Sequence, residues 1–507
     1  MRGRSLRPDA EAVRRQALKE LSARERLLLP GYKLWGYKNH FAKGFLVTDG
    51  DTDYIPREGW ERLSLGPWRV QVDPLLPHQL VEQGEVGVLV LGYAFDDRGP
   101  QGREHVPAHL LRVLTRHPEP AAGRRALDEV IAWLSGRYLV LVRRGAELDV
   151  YGDPMATRTC YWHKGSQGVA LASHTGVLAE LAGGLPSTRM DWVLGHPDYK
   201  SPFGRWLPGL ITPHDGVGQV YANGRLTIRG SEVRHERFFP LSARSEMSPG
   251  QASEGFLAEL RQQVSNWISV APLTVLALTA GRDSRAVLEA GLVQLQQAGA
   301  MALTYHPFHI PGKSTYADLA TANRRAASAQ IPHLVLDVSP TRLNKQMRGL
   351  YTRTFPTWQR YANLASALYL AAPARAATMF GVGGGIITGM IRDRSDPEIS
   401  PELLARKYAY SRFSEDPGLH AVFEAWLEHT DFSVGSLKGY NFYDFFHWEH
   451  RMSKWGASGY SEYDLATIPA PVLNSRRLLT TALSLPEPAR EANVLYRYIS
   501  EGGSVDF

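Results

Sequence analysis

Cysteine is nearly absent from this chain of 507 residues; Cys160 is its single thiol. One thiol excludes an intrachain disulfide, a cysteine-built zinc site and a CxxC redox pair. A long chain with one thiol suits a reducing cytoplasm. Long apolar runs are also missing. Stretches such as Val86–Phe95 and Val270–Ala280 fall far short of the ~20 residues that cross a bilayer. Met1-Arg2-Gly3-Arg4 carries charge with no apolar stretch behind it, so no signal peptide is expected. Lysine is scarce too, at 11 against 46 arginines, and the net charge is only +6. That is a weak field for this length. No basic block is dense enough for a nucleic-acid footprint.

What is present is an ordinary globular composition, 44% hydrophobic and 21% charged, which excludes a disordered or collagen-like chain. At about 150 residues per domain, the length holds roughly two to four domains. Residues 1–42 read as an Arg-rich lead-in. From Gly44 short alternating runs predict an antiparallel, hairpin-rich region. They are Gly44–Thr48, Trp68–Val72, Val86–Tyr93, Tyr138–Arg143, Leu148–Tyr151 and Val169–Ala172, with a helix at Ala126–Leu134. A hairpin is expected between Gly218–Tyr221 and Leu226–Arg229 around Asn223-Gly224. Arg234–Pro249 reads as a linker. After Pro249 the apolar period becomes helical. Helices are expected at Ala252–Ser269, Ser284–Leu295 and Asp318–Ala329, alternating with strands at Leu273–Leu278, Met301–Tyr305 and His333–Val338. That alternation predicts a parallel doubly wound sheet. Residues 340–507 read as mostly helical, and the aromatics between Tyr440 and Trp448 as helix core.

The sharpest local signal is Leu278-Thr279-Ala280-Gly281-Arg282-Asp283-Ser284-Arg285. A buried strand ends in a loop of small residues and a helix begins at once. Free amides at such a helix start form an anion site. Thr279 and Ser284 add hydroxyls, and Asp283 is suited to a magnesium ion bridging phosphates. The G-K-[ST] ending of a Walker A loop is missing. Position by position, the segment resembles the S-G-G-x-D-S loop of the N-type ATP pyrophosphatases, the PP-loop family. Gly281, Asp283 and Ser284 match, with Thr279 and Ala280 in place of Ser and Gly.

The first half carries an independent likeness. Gly136-Arg137-Tyr138, then Tyr151–Trp162, then Leu171-Ala172-Ser173-His174 resemble the glutaminase-type domain of asparagine synthetase. Leu207-Pro208-Gly209 and Arg237-Phe238-Phe239-Pro240 resemble the bridge into its synthetase half. The resemblance covers roughly residues 44–500. It implies an α+β N-terminal-nucleophile (Ntn) type, αββα-like domain over 43–240. An α/β doubly wound PP-loop synthetase domain with a helical C-terminal part would follow over 250–507.

The chain departs from that family at three places. Where the glutaminases carry a cysteine after the initiator Met, Arg2 stands here. Cys160 lies inside a strand-like segment and reads as a core thiol, so glutamine hydrolysis by the usual route is not expected. In this respect the chain is similar to β-lactam synthetase, carbapenam synthetase and the lasso-peptide cyclases. The family's G-E-G-S-D-E loop is matched by Gly381-Val382-Gly383-Gly384-Gly385, which keeps glycines and loses both acids. Its metal ligand would come from elsewhere, with Asp393 one candidate, or one metal site is lost. Glu462 and Pro469–Arg476 resemble the family's E-x-R-x-P-F-L-D stretch loosely. The lysine that the family places downstream is absent, because no lysine follows Lys454; Arg490, Arg497 or a folded-back Lys454 would take its role.

The resemblance therefore implies an ATP-dependent, AMP-forming amide ligase. It would adenylate a small-molecule or peptide carboxylate and pass it to an amine from a source other than glutamine hydrolysis in this chain. ATP and Mg2+ are the implied cofactors. Asp283 and Arg490 would be catalytic, and Asp283 would hold the metal. Leu278, Thr279, Ala280, Gly281, Arg282, Asp283, Ser284, Arg285, Tyr305, Gly381, Gly383 and Gly384 would bind ATP and pyrophosphate. The alternative is a catalytically silent nucleotide-binding or scaffold homologue. The resemblance leaves room for a homodimer or a biosynthetic partner protein. Asp318 is open between a helix cap and a role at the loop. His306 and His309 lack a third ligand for a metal site.

Overall fold

Alternating apolar runs in the first half build two antiparallel sheets. The computed structural model describes residues 40–97, 106–166, 168–200, 205–306, 313–338, 345–357, 362–371 and 376–502. The lead-in up to residue 39 and His309 lie outside the described residues. The strands are β1 (Phe45–Asp49), β2 (Glu61–Leu65), β3 (Trp68–Val72), β4 (His78–Gln83), β5 (Val86–Phe95) and β6 (Ser135–Arg144). They continue as β7 (Glu147–Gly152), β8 (Tyr161–Gly165), β9 (Gly168–Ala172), β10 (Val217–Gln219), β11 (Gly224–Arg229) and β12 (Glu232–Arg237). One sheet runs β10-β8-β9-β1-β3-β2 and the other β12-β11-β7-β6-β5-β4.

The period of two sorts their faces. In β6, Leu139 and Leu141 join Phe45, Val47, Val70 and Leu171 in the core between the sheets. Tyr138, Val140 and Val142 face the opposite way and pack with helices Val106–Arg116 and Pro120–Ile131. On the far side, Leu46, Ala170 and Ala172 pack on helix Thr175–Leu181. The layers are thus helix, sheet, sheet, helix. Cys160 sits in the inter-sheet core, 1% exposed, and burial pushes its thiol up, away from a reactive thiolate.

The expected hairpin around Asn223-Gly224 does not form. β10 pairs with β8 in one sheet, whereas β11 pairs with β7 and β12 in the other. Asn223 does turn the chain, at φ +66°, but the turn carries it from sheet to sheet. The expected linker also begins inside β12.

The second half forms a parallel sheet from β13 (Leu273–Ala277), β14 (Met301–His306), β15 (His333–Asp337), β16 (Ala376–Phe380) and β17 (Ile468–Pro471). Its order is β15-β14-β13-β16-β17, and its pairs are all parallel. The last two strands interrupt the segment 340–507, which among the described residues is otherwise mostly helical, as the sequence predicts. β16 is buried at every position, so it shows no alternation. β17 carries two prolines, tolerated because it is an edge strand. Helix Pro249–Ile268 begins with Pro249 after a Ser248–Gln251 capping box. The helix expected over Ser284–Leu295 is broken at Gly291 into Arg282–Ala290 and Leu292–Gln297. No helix among the described residues is long and apolar enough to cross a membrane.

Buried polar contacts join the two halves. Arg137 holds Asp464 through two bonds of 2.8 Å, and Arg158 adds a third at 3.2 Å. Asn474 donates to the Gly136 carbonyl and to Asp153, and accepts the Met155 amide at 2.8 Å. A π-helical segment, His447–Gly456, presents Glu449 to Asn223 and Arg237 and Ser453 to the Ala222 amide. The aromatics before and at its start are largely core, as read from the sequence: Tyr443, Phe445, Phe446 and Trp448 are all buried.

Candidate functional site

In an open parallel sheet, ligands bind outside the carboxyl ends of the strands where strand order reverses. Here that point lies between β13 and β16. The two loops singled out in the sequence leave these two strands, so the topology brings them together. The approach is close. A Cβ on Gly384 would lie 2.0 Å from Asp283 Oδ1, and one on Gly381 would lie 2.9 Å from Asp283 Cβ. Only glycine backbone fits there. Gly383 adopts φ +117°, and Met155 Sδ, from the first half, lies 3.1 Å from where its Cβ would be.

The first loop is pinned from several sides. Thr279 N–H donates to Ser284 Oγ at 3.1 Å, and Gly281 N–H to Thr279 Oγ1 at 3.0 Å. Ala280 N–H donates to the Asp318 carboxylate. Asp318 lies within helix Lys313–Ser328, so it is a loop anchor rather than a cap. Arg325 donates to the carbonyls of Thr279 and Gly281, at 2.8 and 3.2 Å. Helix Arg282–Ala290 starts at Gly281 with no side-chain cap. Its first-turn amides are not consumed by a side chain, which suits an anion.

Asp283 is partly buried, and Tyr496 donates to its Oδ1 at 2.7 Å. Burial pushes its pKa up, against the pull of the Tyr496 bond and Arg282. Desolvation thus outweighs the local donors. A carboxylate in that position gains from a cation. Magnesium on phosphates commonly takes one or two protein carboxylates, and Asp283 fits as one. Asp393 does not join it: it is exposed and ion-paired to Lys407 at 2.7 Å. Hydrogen bonds from Lys407 and Ser395 bring it down to about 2. Among the described residues no group of three or more His, Cys, Asp or Glu side chains is placed to hold a metal.

The other expected residues fall as follows. Leu278 is fully buried; its N–H bonds the Leu303 carbonyl at 2.9 Å and its carbonyl accepts from Thr304. Its peptide is therefore engaged within the sheet. Tyr305 lies one residue before the end of β14, beside Leu336. Arg282 donates to Asn493, and Arg285 pairs with Glu289 in its own helix. Arg490 is buried and donates to Asp444 at 2.7 Å, while its Nε and Nη1 have no hydrogen-bond partner among the described residues. Arg394 shares Asp444, and its Nη2 lies 2.6 Å from a Cβ placed on Gly389. Arg490 thus reaches the segment after the second loop through Asp444 and Arg394. Lys454 does not fold back to the loops. It donates to the Ile211 carbonyl at 2.9 Å, and burial lowers its pKa to about 7.

Tyr496, Arg325, Met155 and His447 were not foreseen in these positions. Each comes from a distant segment with no local motif. His447 lies behind the second loop, its Nε2 2.8 Å from a Cβ placed on Gly385.

No family model matches the chain, and no curated protein matches it. Among solved structures it is similar to the glutamine phosphoribosylpyrophosphate amidotransferase from B. subtilis complexed with ADP and GMP. The identity is 10%, the match covers 74% of each chain, and the TM-score is 0.24. It is also similar to a structure described as the allosteric regulatory enzyme of purine biosynthesis. There the identity is 12%, covering 68% of this chain and 76% of that one, with a TM-score of 0.25. Superposition at that level carries no argument about fold or function.

Proposed function

We propose that this chain is an ATP-dependent, AMP-forming ligase that activates a carboxylate and passes it to an amine. The observation that carries the reading is the meeting of Asp283 with the glycine turn at Gly384, at the sheet's reversal point. The uncapped helix start at Gly281 would take the pyrophosphate part of ATP. Thr279 and Ser284 hold the loop in shape, with Asp318 and Arg325 bracing it from the neighbouring helix. Asp283 would hold magnesium, which supplies charge neutralisation on the phosphates when bound. Gly381, Gly383 and Gly384 would pass close to the nucleotide. Arg490 would add positive potential through its unpartnered guanidinium edge. Catalysis of this kind is positioning plus charge stabilisation. The amine would come from the second substrate, because Cys160 is sealed between the sheets.

A second reading, a silent nucleotide-binding or scaffold protein, is favoured by one observation: Lys454 is committed to Ile211. One experiment separates the two. The protein is incubated with ATP, magnesium and pooled carboxylic acids, and labelled pyrophosphate exchange into ATP is followed. Exchange that is lost in Asp283→Ala supports the ligase. Nucleotide binding without exchange supports the scaffold. Absence of ATP binding at millimolar nucleotide overturns both.

A further inference from the structure

Asp283 is held by a helix from the far end of the chain. Asn493, Tyr496 and Ser500 follow one another at i, i+3 and i+7, which sets them on one face of helix Val494–Ser500 and its cap. That face lies along helix Arg282–Ala290, which follows the first loop. Asn493 Oδ1 accepts from Arg282 Nη1 at 2.7 Å, Tyr496 donates to Asp283 Oδ1 at 2.7 Å, and Ser500 donates to Glu289 Oε2 at 2.9 Å. Two of these three contacts fall on the first two residues of that helix.

The two contacts divide the work. Among the described residues the Asp283 carboxylate takes the one hydrogen bond from Tyr496 and no ion pair, and the cation that acts on it is Arg282, its neighbour in the chain. Charges drawn out of water end up paired or on a metal. A free Arg282 would be the pairing partner and would compete with a metal ion. Asn493 holds that guanidinium instead. Its own amide is fixed from both ends, because Nδ2 donates to the Glu491 carbonyl at 2.8 Å. Its φ is +57°, a conformation asparagine enters more readily than most residues. Tyr496 approaches from a rigid base: its ring is buried, edge-on to Phe256 at 6.4 Å. A carboxylate bonded at one oxygen is fixed in rotation, and its remaining lone pairs stay available to a cation.

We infer that the last helix is the positioning element of the metal site: Tyr496 sets the Asp283 carboxylate for a divalent cation, and Asn493 withholds Arg282 from it. Both are positioning residues that act through a neighbour. The inference rests on the ligase reading, in which Asp283 holds magnesium.

The test measures ATP binding to the full chain by calorimetry, once with Mg2+ and once in EDTA. The ratio of the two affinities reads the metal's share. The unaltered protein should favour Mg2+, and Asp283→Asn should abolish that preference. Tyr496→Phe keeps the ring against Phe256 and should cut the ratio about tenfold, the loss typical when the partner of a metal ligand is removed. Its affinity in EDTA should stay unchanged. Asn493→Gly keeps the positive φ and should also lower the ratio. That effect should vanish in an Arg282→Gln background, where no guanidinium is left to compete. A role in folding alone would move both affinities together. An unchanged ratio in Tyr496→Phe, equal losses with Mg2+ and in EDTA, or an Asn493→Gly effect that survives in Arg282→Gln overturns the inference, while the response of Asp283→Asn keeps the ligase reading standing. Equal ATP affinities with and without Mg2+ in the unaltered protein, or no ATP binding, overturn the ligase reading and the inference with it.

Discussion

A methyl group at position 384 tests whether the two loops meet as described. Built on Gly384, it would lie 2.0 Å from Asp283 Oδ1, 2.1 Å from Cγ and 2.3 Å from Oδ2. Comfortable contact needs about 3.5 Å, so the carboxylate must retreat by more than 1 Å or the turn must open. The carboxylate is tethered by the 2.7 Å bond from Tyr496 and by its place in the first turn of Arg282–Ala290. Overpacking of this kind costs about 1–3 kcal/mol, and a strained or lost Tyr496 bond adds about 1 kcal/mol. The better helix propensity of alanine returns less than about 1 kcal/mol. The overlap wins, and Gly384→Ala should destabilise by about 2–3 kcal/mol. For a unit of about 250 residues that is a fall in Tm of roughly 4–12 °C.

The sharper measurement is the double-mutant cycle. In an Asp283→Ala background the methyl enters the space the carboxylate vacates, so the same substitution should cost near zero. The coupling is then about 2 kcal/mol, well above the non-additivity of independent sites. Both backgrounds are read by urea denaturation followed by circular dichroism. Gly255→Ala serves as a control of opposite sign. Its Cβ would meet only Thr481 Cγ2, at an ordinary 3.8 Å, on an exposed helix face, so it should stabilise by about 0.5–1 kcal/mol. Equal costs of Gly384→Ala in the two backgrounds would refute the contact and, with it, the observation on which the ligase reading stands.

Three further outcomes are expected. Met155→Ala should cost about 2–5 kcal/mol as a buried truncation. Because Met155 covers Gly383 from the other half of the chain, it should also weaken nucleotide binding by calorimetry; unaltered affinity would separate the first half from the site. Asp464→Asn strands the buried guanidiniums of Arg137 and Arg158 and should cost about 3–5 kcal/mol in chemical denaturation. Lys454→Met should change how stability responds to pH. The folded-state pKa of Lys454, about 7, lies below its ordinary 10.5, so between these values the unfolded chain holds a proton that the folded chain does not. Stability then rises with pH by up to about 1.4 kcal/mol per unit. From pH 7 to 9 the native protein should gain about 2 kcal/mol over the variant; parallel pH profiles would show that Lys454 is not buried uncharged.

What could be read from the sequence follows from where each signal resides. β3 and the β13 to β15 alternation were legible because the apolar period and the flanking Gly, Pro and Asp lie within the element itself. β16 was not, because five buried residues in a row carry no period, and β17 was hidden by its two prolines. The Asn223-Gly224 signal was a true turn with the wrong partners: a turn motif reports a change of chain direction, whereas pairing is decided by which strand lies alongside. The same division runs through the site. Thr279, Gly281, Asp283 and Ser284 stand in one contiguous loop, so a local pattern finds them. Tyr496 and Arg325 reach that loop from the last helix and the neighbouring helix, and Met155 reaches the second loop from the other half of the chain; none carries a motif there. The glycines at 381–385 fall between these cases. Their number was visible, yet its meaning depends on Asp283 standing on one side and His447 on the other. A glycine run is needed there because two side chains from separate helices crowd one turn, and that crowding exists only once the parallel sheet has set β13 beside β16.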